Sequence, residues 1–180
     1  MRASRTALLV IDVQRGIIDD PRAWRAAEVL AVIGGLAAQA RAAGVPVVYV
    51  RHDGPAGSPV EAGTPGAEIH SAVEPLPGET VIHKRACDSF LGSRLDDELR
   101  SRGIGRIVVT GCMSQYCVDT ACRRALSLGY DVTLAADAHT TWDMGGLTAE
   151  QIARHHNAIF QDFPALDHAI RVQPAAEIRF

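Results

Sequence analysis

Residues 7–13 (ALLVIDV) form an almost unbroken apolar run in which only Asp12 is polar. A strand wetted on one face alternates apolar and polar positions, so a continuous run of this length predicts a strand buried on both faces of a parallel sheet. Residues 45–51 (VPVVYVR), 80–83, 106–111 (RIVVTG) and 130–136 (YDVTLAA) predict four more strands, and residues 169–172 a short last one. Between them the period changes. Pro21 opens a helical stretch with Trp24, Leu30, Ile33 and Leu36 at helical spacing and Gly44 as its stop, which places Trp24 in the core. Residues 95–102 before Gly103, 117–128 before Gly129, and 148–160 are the other helices, the last opening with Thr148 and Gln151 in capping-box positions.

Strand alternating with helix predicts an α/β fold: a single-domain, doubly wound, Rossmann-like parallel β-sheet flanked by helices on both faces. A chain of 180 residues suits one such core, so residues 1–180 are expected to form one domain. One segment breaks the rhythm. Residues 53–78 are dense in glycine and proline, and a connection this long in a compact domain is more often functional than a plain link. It is expected to carry a short helical turn around residues 67–73 and to cover substrate.

Charge narrows the partners. The formal net charge is -3 and the basic residues are scattered, which argues against nucleic acid and for a small substrate. Residues 1–6 carry two arginines, but the apolar run behind them stops at Asp12, too short for an export signal or a membrane span. A cytoplasmic location follows as the expectation. Cys87, Cys112, Cys117 and Cys122 contain no Cys-x-x-Cys pair and are expected as free thiols in a reducing compartment.

In open parallel sheets ligands bind beyond the carboxyl ends of the strands. Asp12 ends the first strand, Lys84 follows the strand 80–83, and Cys117 comes just after the strand 106–111, at the start of the next helix. A thiol there feels the positive end of the helix dipole, which favours thiolate, and nearby N–H groups can hold an oxyanion. A lone cysteine is more often a small buried hydrophobe, and Cys87, Cys112 and Cys122 keep that reading. Asp12 has a structural alternative as a turn cap, and Lys84 as a solvated surface charge. Together the three have a chemistry none has alone: the acid takes the thiol proton and the ammonium holds the two anions in place.

At these residues the chain resembles the isochorismatase-like cysteine hydrolases, the superfamily of nicotinamidase-related amide hydrolases. The likeness runs through ALLVIDVQ (7–14), HKRACDSFLGSRLDDELRSRGI (83–104) and VVTGCMSQYCVDTACRRALSLGYDVTLAADA (108–138). It implies a catalytic triad of Asp12, Lys84 and Cys117, a cis peptide at Cys112-Met113, and an oxyanion hole formed by the Met113 and Cys117 N–H groups. It also implies a homo-oligomer, a dimer or a tetramer. Phe90, Tyr116, His139 and Trp142 are candidates to line the substrate pocket, each with a core or interface alternative.

Two places depart from the family pattern. Ser114-Gln115 replaces a common Thr-Asp, and the Asp-x-His that holds a metal in nicotinamidases reads Arg51-His52-Asp53-Gly54. His52, Asp53 and His70 do not match that spacing, so neither metal nor other cofactor is expected. The expected activity is hydrolysis of a small-molecule amide through a thioester. The alternatives are vinyl ether hydrolysis of the isochorismatase type, hydrolysis of a cyclic amide such as the streptothricin lactam, suggested by residues 140–160, and a non-catalytic or redox-sensing protein on the same scaffold.

Overall fold

The computed structural model describes residues 5–180. Residues 1–4, part of the stretch examined for an export signal, lie outside the described residues. Among the described residues no helix is long and apolar enough to cross a membrane.

Seven strands form one sheet: β1 (Arg5–Ile11), β2 (Val47–His52), β3 (Thr80–Lys84), β4 (Ile104–Cys112), β5 (Asp131–Thr140), β6 (Phe163–Ala165) and β7 (His168–Gln173). Their order is β3-β2-β1-β4-β5-β7-β6, parallel throughout except for the antiparallel pair of β6 and β7. The apolar runs explain the parallel part. Along β1, Ala7, Leu9 and Ile11 point into one core while Leu8 and Val10 point into the other, so both faces need cover. On the Leu8 face that cover is α2 (Ala26–Ala42), through Val29, Ile33 and Leu36. On the Leu9 face α3 (Leu95–Ser101) and α4 (Asp119–Ser127) contribute Leu95, Leu99, Cys122 and Leu126. Truncating one fully buried leucine here, such as Leu9, to alanine is expected to cost about 2–5 kcal/mol.

The last long helix, α5 (Ala149–Phe160), begins with the expected capping box: the Thr148 hydroxyl accepts from the Gln151 N–H, and the Gln151 side chain accepts from the Thr148 N–H. Elsewhere the structure differs from the pattern. The short helix α1 (Arg15–Ile18) precedes a turn, and α2 starts only at Ala26, because the Asp20 carboxylate holds the Arg22 N–H and side chain in a local turn and Arg25 adopts φ 51°. Trp24 therefore sits before the helix, partly exposed and tied by its backbone N–H to the Thr141 carbonyl, not on the core face of α2. The edge strand β6 was not legible, being three residues long with a proline in its middle.

Residues 53–78 carry two separate 3-10 turns, Pro65–Ala67 and Ser71–Val73, in place of one. The segment is pinned at the carboxyl ends of β1 and β2. The wholly buried Gln14 side chain donates to the His52 and Ala67 carbonyls and accepts from the His52 N–H, each at 2.9 Å. Nearby, a Cβ on Gly16 would sit 1.9 Å from the Pro59 carbonyl oxygen, so only glycine lets the loop approach this closely.

Candidate active site

The strand order reverses beside β1: the chain runs outward through β2 and β3, then returns to place β4 on the other side. A crevice opens where neighbouring strands send their connections to opposite faces, and here it lies between the carboxyl ends of β1 and β4. Asp12 follows β1 on one side of it and Cys117 follows β4 on the other. The two strands approach so closely at this point that a Cβ on Gly111, at φ 120°, would lie 2.0 Å from the Ile11 carbonyl oxygen. Asp12 itself takes φ 50° while its N–H still donates to the Val50 carbonyl, so the chain leaves the sheet abruptly and turns the carboxylate into the crevice.

Lys84 closes β3, and its side chain crosses beneath the end of β2 to reach Asp12, with Nζ 2.8 Å from Oδ2. Both side chains are almost wholly removed from solvent. The ammonium and carboxylate form a charge-assisted contact, and the Cys117 thiol hydrogen-bonds the same carboxylate. Lys84 donates a further hydrogen bond to the Cys87 carbonyl at 3.0 Å. Burial works against the lysine charge, but Asp12 and Cys117 outweigh it and hold the ammonium above its ordinary pKa. Burial raises the Asp12 carboxyl above its ordinary range, against the pull of Lys84 and Cys117, which makes the carboxylate a stronger proton acceptor than an exposed one.

Cys117 lies close enough to Asp12 for each to shift the other. Its surroundings correct the expectation of a helix-stabilised thiolate. Residues Ser114–Val118 form a π-turn, and α4 proper begins two residues beyond Cys117, at Asp119. Burial first, and then the Asp12 charge, push the thiol pKa well up, with Lys84 opposing. At rest the sulfur carries its proton, and the acceptor for that proton stands beside it. The Cys112-Met113 peptide is cis, as the resemblance implied, and Met113 is the partly buried residue from which the π-turn departs.

The pocket candidates have different surroundings. Phe90 is buried in the core, tilted against Tyr130 at 6.1 Å between ring centroids. Tyr116 is exposed, its hydroxyl 3.1 Å from the Met144 sulfur. Trp142 is partly exposed under the Arg22 guanidinium, its indole N–H buried without an acceptor. His139 is buried and structural in its contacts. The Ser114 hydroxyl lies 2.7 Å from its Nδ1, and Asn157 Oδ1 lies 2.9 Å from its Nε2. Because the Asn157 amide donates to the Ala136 carbonyl, its oxygen faces the ring, so Nε2 carries the proton and Nδ1 accepts from Ser114. Burial lowers the His139 pKa to about 4 and keeps the ring neutral. A Ser–His pair can begin a nucleophilic triad, but Ser114 is 0% exposed and no substrate atom reaches it.

Of the residues considered for a metal, Asp53 and His70 have other partners, whereas His52 Nδ1 is buried with none. Asp53 pairs with Arg51 through one oxygen and with His83 through the other, and His70 contacts Asp19 while accepting from the Ala72 N–H. Among the described residues no three His, Cys, Asp or Glu side chains gather as a ligand set. All four cysteines are free, and Cys87, read as an inert core thiol, instead places its sulfur 3.7 Å from that of Cys117. A surface cavity of about 420 Å³ borders the site, lined by Asp53, His83, Lys84, Arg85, Leu91 and Gly92. A larger hollow of about 810 Å³ lies at the amino ends of the strands, beside Arg5, Pro46, Ile104 and Phe180, away from every reactive side chain described above.

The chain is similar to known proteins in sequence and fold. The family model of the isochorismatase domain matches residues 6–163. A streptothricin hydrolase of Streptomyces noursei is 42% identical over 139 residues, 77% of this chain and 50% of that protein, so the match spans half the relative's length. YecD, an uncharacterized isochorismatase family protein of Escherichia coli O157:H7, is 33% identical over 99% of this chain and 96% of its own. The crystal structure of an isochorismatase from Pseudomonas putida KT2440 superposes with a TM-score of 0.88 at 32% identity, covering 97% of this chain and 90% of that one.

Proposed function

The chain belongs to the isochorismatase family, and on that premise we propose that it is a cysteine-dependent hydrolase that cleaves a small-molecule amide through a thioester. The observation that carries the proposal is Asp12: a buried carboxylate paired with Lys84 at 2.8 Å and hydrogen-bonded by the Cys117 thiol, each shifting the other. Burying charged and titratable groups together is costly, and such a cluster in a crevice marks a site where chemistry uses it.

In the proposed reaction Asp12 takes the Cys117 proton as the sulfur attacks the amide carbon. The Met113 and Cys117 N–H groups receive the oxyanion, and the leaving amine takes the proton back from Asp12. Water, deprotonated by the same carboxylate, then releases the acid from the thioester. Lys84 keeps the pair of acid and thiol from drifting apart and offsets the anion that develops between them. Vinyl ether hydrolysis needs no nucleophilic thiol, so Cys117 supports amide cleavage over it. Similarity to a streptothricin hydrolase favours a cyclic amide within that class.

A panel of linear and cyclic amides assayed for released amine or ammonia tests the reading. Wild-type protein is expected to turn over at least one of them and to accumulate an acyl adduct on Cys117 after acid quench. Equal turnover by the Cys117→Ala variant would sink the proposal.

A further inference from the structure

Cys87 stands three residues past the end of β3, on the backbone whose carbonyl Lys84 holds at 3.0 Å. Its sulfur faces two groups from the opposite wall: the Cys117 sulfur at 3.7 Å and the Thr120 hydroxyl at 3.8 Å. Sulfur packed on sulfur is ordinary for buried cysteines. This pair differs from the other two thiols of the chain, because Cys87 and Cys117 are both partly exposed while Cys112 and Cys122 are fully buried. They come from different connections, thirty residues apart, that the sheet brings together. A disulfide needs a separation of about 2.05 Å, so bond formation asks the sulfurs to approach by roughly 1.7 Å, within reach of side-chain rotation and small loop adjustment.

We infer that Cys87 is a modification site, the resolving thiol of a reversible Cys87–Cys117 disulfide that a peroxide drives and that blocks the nucleophile. The loss of activity rests on the proposed role of Cys117; the bond itself does not. In the first step Asp12 takes the Cys117 proton and the sulfur attacks one peroxide oxygen. The O–O bond breaks, Cys117 becomes a sulfenic acid, and the leaving hydroxide takes the proton from Asp12 as water. In the second step the Cys87 sulfur attacks the sulfenyl sulfur. The S–S bond forms, the S–O bond breaks, and hydroxide leaves with the Cys87 proton as a second water. Two thiols lose two electrons and one peroxide becomes two waters. With Cys87 this close, the sulfenic acid is trapped before further peroxide carries it to the irreversible sulfinic acid.

Purified full-length protein treated with hydrogen peroxide, alkylated and mapped by mass spectrometry without reductant tests this. The expected result is a single cross-linked peptide pair joining Cys87 to Cys117, a mass lower by two hydrogens, and activity that is lost and then restored by dithiothreitol. In Cys87→Ser and Cys87→Ala, basal activity is expected to persist, and excess peroxide is expected to convert Cys117 to the sulfinic acid with a loss that dithiothreitol does not reverse. Absence of the 87–117 cross-link from peroxide-inactivated wild type overturns the inference, as does recovery of both variants equal to that of wild type. Full activity of Cys117→Ala would instead overturn the proposed function, while the cross-link in wild type would remain as a mark of the thiol pair alone.

Discussion

Two polar clusters meet at the turn after β4, where Ser114 of one precedes Cys117 of the other, and their charge sets them apart. Around His139 the bonding is complete: Ser114 donates to one ring nitrogen, Asn157 accepts from the other, and the Asn157 amide closes on the Ala136 carbonyl. Around Asp12 the groups are charged and able to exchange a proton. A charged pair is buried at 2.8 Å, and the neighbouring thiol keeps its proton because burial and the Asp12 charge raise its pKa. A neutral, fully satisfied buried network rigidifies the fold, whereas a buried charged one costs stability and leaves an acceptor ready for a moving proton. The first cluster anchors the turn from which the second works, because Ser114 opens the π-turn that carries Cys117.

The sharpest way to break this distinction is to remove the proposed nucleophile. Cys117→Ala is expected to lower turnover by roughly 10⁴-fold or more with the far-UV spectrum and unfolding midpoint little changed. Asp12→Asn is expected to reduce turnover by about 10²–10⁴-fold per folded molecule, and also to destabilise, since it leaves Lys84 buried without its counter-charge. Activity retained in Asp12→Asn would move Asp12 into the structural class.

The His139 cluster predicts an acid limb of stability. The unfolded imidazole binds a proton near its ordinary pKa of 6.5, but the folded ring resists until about 4, so between these values the unfolded state holds more protons. Stability is therefore complete above about pH 6.5 and falls as the pH drops toward 4, by on the order of 3 kcal/mol in total. Denaturant unfolding of wild type against His139→Gln across that range measures it, and an equally steep limb in the variant would assign the loss to other groups. Asn157→Ala leaves the His139 N–H without its acceptor and is expected to cost about 1–3 kcal/mol while turnover per folded molecule holds. A fall in turnover matching that of Asp12→Asn would erase the difference between the clusters. Thr148→Ala, at the cap of α5 and outside both clusters, should cost about 1 kcal/mol and leave turnover unchanged, which sets the scale for a purely structural loss.

Much of the site was legible because parallel sheets order their reactive residues. Asp12, Lys84 and Cys117 each end or follow an apolar run, and the rule that ligands bind at the carboxyl ends of strands was enough to group them. His139 was singled out as a pocket residue, but its partners Ser114 and Asn157 are 25 and 18 positions away and carry no spacing signal that pairs them with it. Gln14 went unread for the same reason: its three bonds join residues 38 and 53 positions away. The aromatic candidates separated according to burial, which depends on neighbours that local periodicity does not contain.

Local chemistry along the chain determined six of the seven strands, most helix limits, the capping box of α5 and the type of each candidate group, because these depend on residues a few positions apart. Tertiary structure alone decided the state of those groups. Position near a helix start favoured a thiolate at Cys117, but burial and the Asp12 charge outweigh it and leave a thiol with an adjacent base. Cys87 became a neighbour of that thiol only when the end of β3 met the turn after β4. Burial, field and long-range contact are properties of the assembled sheet, and they bring three ordinary residue types into one buried, mutually shifted cluster.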